Sequence, residues 1–362
     1  MSDTATKRRM LAWRARKGAG IDGLELREVP EPAPGPGEVL VAVRAVSLSY
    51  RELLVLRGEY VLPVKDDLVP VSDGAGEVVE LGPGTSRARV GDRVTAGLFP
   101  YWLDGPFGRP EELPQLGGSL DGMLARKVVL PESALVPVPA HLSYAEAATL
   151  PCAAVTAWNA LEGVRAGDTV LTLGTGGVSL FAAQLAKLLG ARVIATTGDA
   201  GKAARLRALG VDEVVLREST PGDGQHDGQH DGQHGGQHGG PGDWPERVRA
   251  LTAGGRGVDR VVDVVGDLPR SLRAVAMSGE VALVGFLDKE PPALDPRRLF
   301  GSGARVRPVA VGSRAQFAAM NRAIEAGGMR PVVERVFPFE EAVAAFRHYA
   351  DERPFGKVVI AL

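Results

Sequence analysis

The residues whose types and spacing point most directly to chemistry lie in the run LTLGTGGVSLFAAQLAKLLG, from Leu171 to Gly190. Gly174, Gly176 and Ser179 form a G-x-G-x-x-S pattern, with Thr175 between the two glycines. A strand-like stretch, Thr169–Leu173, leads into it. Val178, Phe181, Ala182, Leu185 and Leu188 give the stretch that follows one apolar helical face. In a strand–turn–helix context such glycines do two jobs: Gly174 permits the tight turn, and Gly176 lets the backbone approach a pyrophosphate. The N–H groups of Gly177 and Val178, at the positive end of the helix dipole, would stabilise its negative charge. The third position needs only a small residue for helix–strand packing, and serine is small. A turn serving chain reversal alone is the competing reading; the β–turn–α–β spacing favours a dinucleotide.

The second strand of the pattern ends Ala-Thr-Thr-Gly-Asp. An NAD site places an acid there, roughly 20 residues after the glycines, to bind the ribose 2′-hydroxyl. Here the strand-end position is Thr197, which does not repel a 2′-phosphate, and Lys202 and Arg205 follow close enough to neutralise one. Asp199, two positions on, argues the other way. The balance of charge predicts NADP(H) over NAD(H).

Positioning these residues takes a particular frame. Beyond Gly167, strand-like runs at Thr169–Leu173, Val193–Thr197, Glu213–Leu216, Val258–Val265 and Val281–Phe286 alternate with helix-like runs, and Gly190 and Gly210 stand where helices end. That alternation predicts an α/β fold, a doubly wound parallel sheet. Before Val138 the chain instead carries short β-rich segments punctuated by Gly and Pro, which read as a barrel-like β domain. Residues 223–238 repeat a four-residue unit, DGQH-DGQH-DGQH-GGQH, with nothing apolar to bury. A disordered surface loop is expected there; weak metal capture by His226, His230, His234 and His238 is the functional alternative.

Composition bounds the function. The 362 residues suggest about two domains, and 44% hydrophobic with 24% charged residues is an ordinary soluble balance. A net charge of -2 gives no footprint for nucleic acid or an acidic membrane. No apolar run is long enough to span a bilayer, and the basic start has none behind it, so neither a membrane span nor a signal peptide is expected. Cys152 is the single cysteine, so no intrachain disulfide can form and a cytoplasmic protein is expected.

Over nearly its whole length the chain resembles the medium-chain dehydrogenase/reductase superfamily, in its zinc-independent, quinone-oxidoreductase-like branch. The segments that carry the resemblance are VSLSYRELLVLRGEY, PVSDGAGEVVELGPG, VGDRV, AATLPCAAVTAWNAL, GDTVLTLGTGGVSLFAAQLAK and the terminal PFGKVVI. The resemblance implies a Rossmann domain (153–312) inserted in a GroES-like catalytic domain made from 1–152 and the returning segment 313–362. Zinc-containing members place metal ligands at positions that fall here on Ser49, Ser72 and Cys152. Two hydroxyls and one thiol do not make the usual Cys/His site, so no metal is expected, and Cys152 reads as a small buried residue. By the same resemblance Tyr50 and Arg51 face the nicotinamide and Tyr60 lies near the cofactor. A tyrosine O–H can donate to a developing oxyanion and an arginine can stabilise its charge. The alternatives are an aromatic shelf for Tyr60 and an Arg51–Asp73 pair that holds the loop. Val265, Gly266, Phe286, Leu287 and Arg314 fall at further cofactor positions, and pairing of the outer sheet edges predicts a homodimer.

These readings converge on reversible hydride transfer between NADP(H) and a small enone, quinone or carbonyl compound. A zinc-free alcohol dehydrogenase or aldehyde reductase is one alternative; a non-catalytic NADPH-binding protein is another. Ser179 lies in GGVSL rather than a G-x-S-x-G elbow, which argues against a hydrolase.

Overall fold

The computed structural model describes residues 8–109, 113–217, 243–285 and 293–362; the histidine repeat, Phe286 and Leu287 lie outside them. Two compact units are present. One takes in the chain up to Asn159, Gly176–Phe181 and Ala310–Leu362; the other takes in Ala160–Thr175 and Ala182–Val309.

The first stretch of chain is written mostly in strands. β1 (Arg9–Ala15) and β2 (Leu24–Pro30) form an antiparallel ribbon. β3 (Glu38–Ser47), whose EVLVAVRAVS sequence is β-branched and almost wholly buried, becomes the centre of a larger sheet. A short helix α1 (Tyr50–Arg57) follows, then β4 (Asp73–Leu81), β5 (Arg93–Ala96), β6 (Lys127–Pro131) and β7 (Leu135–Pro137). Helices α2 (Tyr144–Ala147) and α3 (Val155–Ala160) lead out of this region.

The middle of the chain alternates: β8 (Thr169–Leu173), α4 (Gly177–Leu188), β9 (Arg192–Thr197), α5 (Ala200–Ala208), β10 (Glu213–Leu216), α6 (Trp244–Ala250), β11 (Val258–Asp263), α7 (Leu268–Ala274), β12 (Val275–Leu283), α8 (Pro296–Ser302) and β13 (Arg305–Pro308). The six strands pair in parallel in the order β10-β9-β8-β11-β12-β13. This is the doubly wound Rossmann order, whose direction reverses between β8 and β11, and ligands of such sheets bind beyond the strand ends at that point. β11 stops at Asp263, two residues before the run predicted, because the Asp263 carboxylate accepts from the N–H groups of Val265 and Gly266 and turns the chain.

The chain then returns. After α9 (Arg314–Gly327), β14 (Val333–Pro338) and α10 (Ala342–Asp351), β15 (Lys357–Ala361) lies between β14 and β3 in the seven-stranded sheet. That sheet therefore uses residues from both ends of the chain. Its core gathers Val41, Val46, Leu48, Leu56, Phe346 and Ile360, while Leu171, Ile194, Val248, Val261 and Val281 form the core beneath the parallel sheet.

Candidate active site

Three neighbouring strands, β15, β3 and β4, bring the first set of groups together. Ser47 stands opposite Val359 on one side and Asp73 on the other. Continued two residues past that pair, the antiparallel register faces Lys357 with Ser49. The Lys357 ammonium is buried and donates to Leu48 O at 2.5 Å and to Ser49 Oγ at 2.7 Å. It also lies 3.9 Å from Asp73 Oδ2, an oxygen with no hydrogen-bond partner among the described residues. Ser49 is the N-cap of α1, yet its side chain makes no capping bond; Glu52 N bonds the Ser49 carbonyl instead.

A second buried pair adjoins the first. Arg51 donates to Glu52 Oε1 at 2.9 Å, to Gln115 Oε1 at 3.1 Å and to Gly117 O at 3.2 Å, and its guanidinium stacks over the Tyr60 ring at 4.7 Å. Its acidic partner is Glu52 rather than Asp73. Burial works against the charged guanidinium, but Glu52 and then Tyr60 outweigh it, so Arg51 is held above its ordinary pKa. Ser72 Oγ lies 2.8 Å from Asp73 Oδ1 and 3.1 Å from Glu52 Oε1. A hydroxyl has one proton to donate, so it fully serves two carboxylates only when one of them is protonated. Burial, with Glu52 adding to it, pushes the Asp73 carboxyl up to about 6 against the pull of Lys357. Burial likewise draws the Lys357 ammonium below its ordinary value, against Asp73. Two cations and two acids are thus enclosed together. The loop before Asp73 is strained: Val71, a β-branched residue, sits at φ 72°. The approach of Gly117 and Gly122 to its backbone holds it there.

Cys152 keeps some accessible surface, but desolvation of its thiol and the charge of Asp73 push it up to about 12. Tyr50 opens α1 and is partly buried against the core.

The glycine-rich turn is open. Gly174 adopts φ 82°, and a Cβ on Gly176 would meet nothing within 4 Å. Gly177 differs: a Cβ there would lie 2.8 Å from Lys357 Cδ and 3.4 Å from Ala153 Cβ. Gly176 also bridges to Gly356, next to Lys357. In the parallel-sheet unit, Thr197 is buried and its Oγ1 accepts from Asp199 N. The Asp199 carboxylate is the N-cap of α5 and accepts from Gly201 N and Lys202 N. Gly266 has φ 92°.

Arg314 begins α9, where its N–H bonds Trp102 O; its Nε is buried with no hydrogen-bond partner among the described residues. The aromatic stretch it touches is self-packed, with Phe99, Trp102 and Phe107 ring centroids 4.7–6.5 Å apart.

Tyr50, Arg51, Tyr60, Gly176, Gly177, Val178 and Arg314 therefore belong to the unit with the mixed sheet, and Gly174, Thr175, Thr197, Lys202, Val265 and Gly266 to the other. Sequence reasoning passed over Lys357, Glu52 and Asp263. PFGKVVI carried a signal for the first: a lone lysine opening an otherwise apolar strand must be paired or exposed.

Two family models match the chain: the alcohol dehydrogenase GroES-like domain over residues 35–140, and the zinc-binding dehydrogenase over 177–326. A zinc-type alcohol dehydrogenase-like protein of Schizosaccharomyces pombe is 36% identical over 356 residues, covering 95% of this chain and 96% of the relative. Acryloyl-coenzyme A reductase of Metallosphaera sedula is 27% identical over 357 residues, 93% of this chain and 96% of its own. A crystal structure of an NAD-dependent alcohol dehydrogenase superposes with TM-score 0.83 at 34% identity, covering 98% of this chain and all of that one.

Proposed function

The chain belongs to the medium-chain dehydrogenase/reductase superfamily and is an oxidoreductase; on that premise we propose that it moves a hydride between NADP(H) and a small enone, quinone or carbonyl compound without zinc. The observation that carries this reading is the donor set at the family's metal positions. Ser49 Oγ is bonded to an ammonium and Ser72 Oγ is bonded among carboxylates, so two of the three positions offer neither thiolate nor imidazole and Cys152 alone remains. Zinc takes thiolates, imidazoles and carboxylates, and a dication would be repelled by Lys357. These residues do not fit a zinc ion. No group of three or more His, Cys, Asp or Glu suited to a metal occurs among the described residues.

A nicotinamide cofactor does fit. The open space at Gly176 and the left-handed Gly174 support a pyrophosphate at the start of α4, cradled by the N–H groups of Gly177 and Val178. When bound, the nicotinamide supplies the hydride. The engagement of Asp199 as a helix cap, with Thr197 at the strand end and Lys202 beside it, favours a 2′-phosphate over a bare ribose. Val265, Gly266 and Arg314 are assigned as further cofactor contacts. The Tyr50 hydroxyl donates to the substrate oxygen, Tyr60 serves as an aromatic shelf, and Arg51, spent on inward bonds and stacked over Tyr60, ties the start of α1 to the segment that carries that ring. Two chains pair at β13, the outer strand of the parallel sheet, beside which Phe300 and Met277 stand 90% and 78% exposed.

The experiment is a steady-state acceptor panel with each nucleotide. The proposal expects NADPH oxidation by 2-cyclohexen-1-one to exceed that by a simple aldehyde. Faster aldehyde reduction would favour an alcohol dehydrogenase, as in the related crystal structure. Tight NADPH binding without oxidation by any acceptor would overturn the enzymatic reading.

A further inference from the structure

We propose that Ser49, held by the Lys357 ammonium, donates a hydrogen bond to the substrate oxygen, so that this lysine–serine pair does the polarising that zinc does in zinc-containing dehydrogenases. The inference rests on the hydride-transfer reading above.

Three observations carry it. First, a serine at a helix N-cap ordinarily accepts from the second or third helical N–H. Ser49 does not, and its Oγ accepts from Lys357 Nζ at 2.7 Å instead. The acceptor side of the hydroxyl is thereby occupied by a cation, while its proton has no acceptor among the described residues. A hydroxyl that accepts from an ammonium is a stronger donor than one that does not.

Second, Lys357 is not free to move. Its ammonium is fixed by Leu48 O and Ser49 Oγ and faces Asp73 Oδ2, and its stem passes against Gly177 at the mouth of the glycine-rich turn. One side chain therefore spans from the turn assigned to the cofactor to the serine assigned to the substrate, and Lys357 is a positioning residue for both.

Third, burying an ammonium is costly unless it is paired. A core this well supplied with Val, Leu and Phe would accept an apolar residue at 357 for packing alone, so the cation and its two anchors call for a use beyond packing.

The chemistry balances. As hydride adds to the acceptor carbon, the π pair of the C=O, or of the conjugated C=C–C=O, collects on oxygen. Ser49 O–H stabilises that charge by hydrogen bonding, and a solvent proton completes the product. Lys357 keeps its proton throughout.

The test reads polarisation without turnover. 4-(Dimethylamino)cinnamaldehyde shifts its absorption to the red when its carbonyl is polarised. It is added to the full chain loaded with NADP⁺, which has no hydride to give. The expected result is a red shift in the wild type, much reduced in Ser49→Ala beyond what Tyr50 alone sustains, and restored in Ser49→Thr, which keeps the hydroxyl. Lys357→Met and Lys357→Gln lose most of it. In turnover, Ser49→Ala loses about 10²-fold in kcat, the usual cost of one oxyanion donor, with NADPH affinity retained. An equal shift in wild type and Ser49→Ala, or none in the wild type, overturns the proposal and leaves hydride transfer standing. A shift that depends on Ser49 in a protein that oxidises no NADPH supports the donor and overturns the hydride reading alone.

Discussion

Adjacent glycines in the same turn predict opposite defects when each gains one methyl group. At Gly176 a Cβ meets nothing within 4 Å, and its φ lies outside the left-handed range. Gly176→Ala therefore costs the free protein nothing by sterics, and stabilises it by up to about 1 kcal/mol through the unfolded chain. If the backbone there carries a pyrophosphate, the same methyl occupies the ligand's space, and NADPH binding weakens at least ~10-fold, about 1.4 kcal/mol. At Gly177 the new Cβ lies 2.8 Å from Lys357 Cδ, closer than carbon atoms approach, and that stem cannot swing aside while Leu48 O and Ser49 Oγ hold its far end. Overpacking of this kind costs about 1–3 kcal/mol. Urea denaturation of both variants without ligand, with NADPH titrated by fluorescence, separates the two effects. Gly176→Ala with wild-type NADPH affinity would remove the turn from the cofactor site. Gly177→Ala with wild-type stability would show that Lys357 is not clamped.

Three further outcomes follow from the same geometry. NADPH binds at least ~10-fold tighter than NADH because Thr197 replaces the acid; titration giving equal affinities would return Asp199 to the ribose. Tyr50→Phe lowers turnover by up to about 10²-fold with NADPH affinity nearly unchanged, whereas Tyr60→Phe does little; the reverse pattern in steady-state kinetics would exchange their roles. Asp73, pushed up to about 6, holds its proton in the folded chain through a range where the unfolded chain, with a carboxyl near about 4, has lost it. Stability should therefore fall as pH rises between those values and stay level above them; an unchanged pH slope in Asp73→Asn would refute this.

How much of this was legible in the sequence varied with distance along the chain. β8 and β10 fall where the apolar runs placed them, since a buried parallel strand writes itself as a local hydrophobic stretch. β12 starts at Val275 rather than near Val281, because its first half reads VAMSGE, with Ser278 at φ 64° and no β pattern to betray it. The buried charge cluster was the least visible. Lys357 and Ser49 are 308 residues apart and meet only through the register of β15 on β3. Glu52 follows Arg51 directly in the chain, yet its burial depends on Ser72 reaching back to it. The tight turn at Gly174 was legible because its reason is local; the reason for Gly177 is a lysine stem at the other end of the chain.

Hydride transfer without a metal is the central claim about this chain. The direct measurement is NADPH oxidation by 2-cyclohexen-1-one, using protein dialysed exhaustively against EDTA and analysed for zinc in the same sample. Undiminished turnover with no stoichiometric zinc is the expected result. One zinc retained per chain, with activity that disappears when it is removed and returns when it is restored, would contradict it.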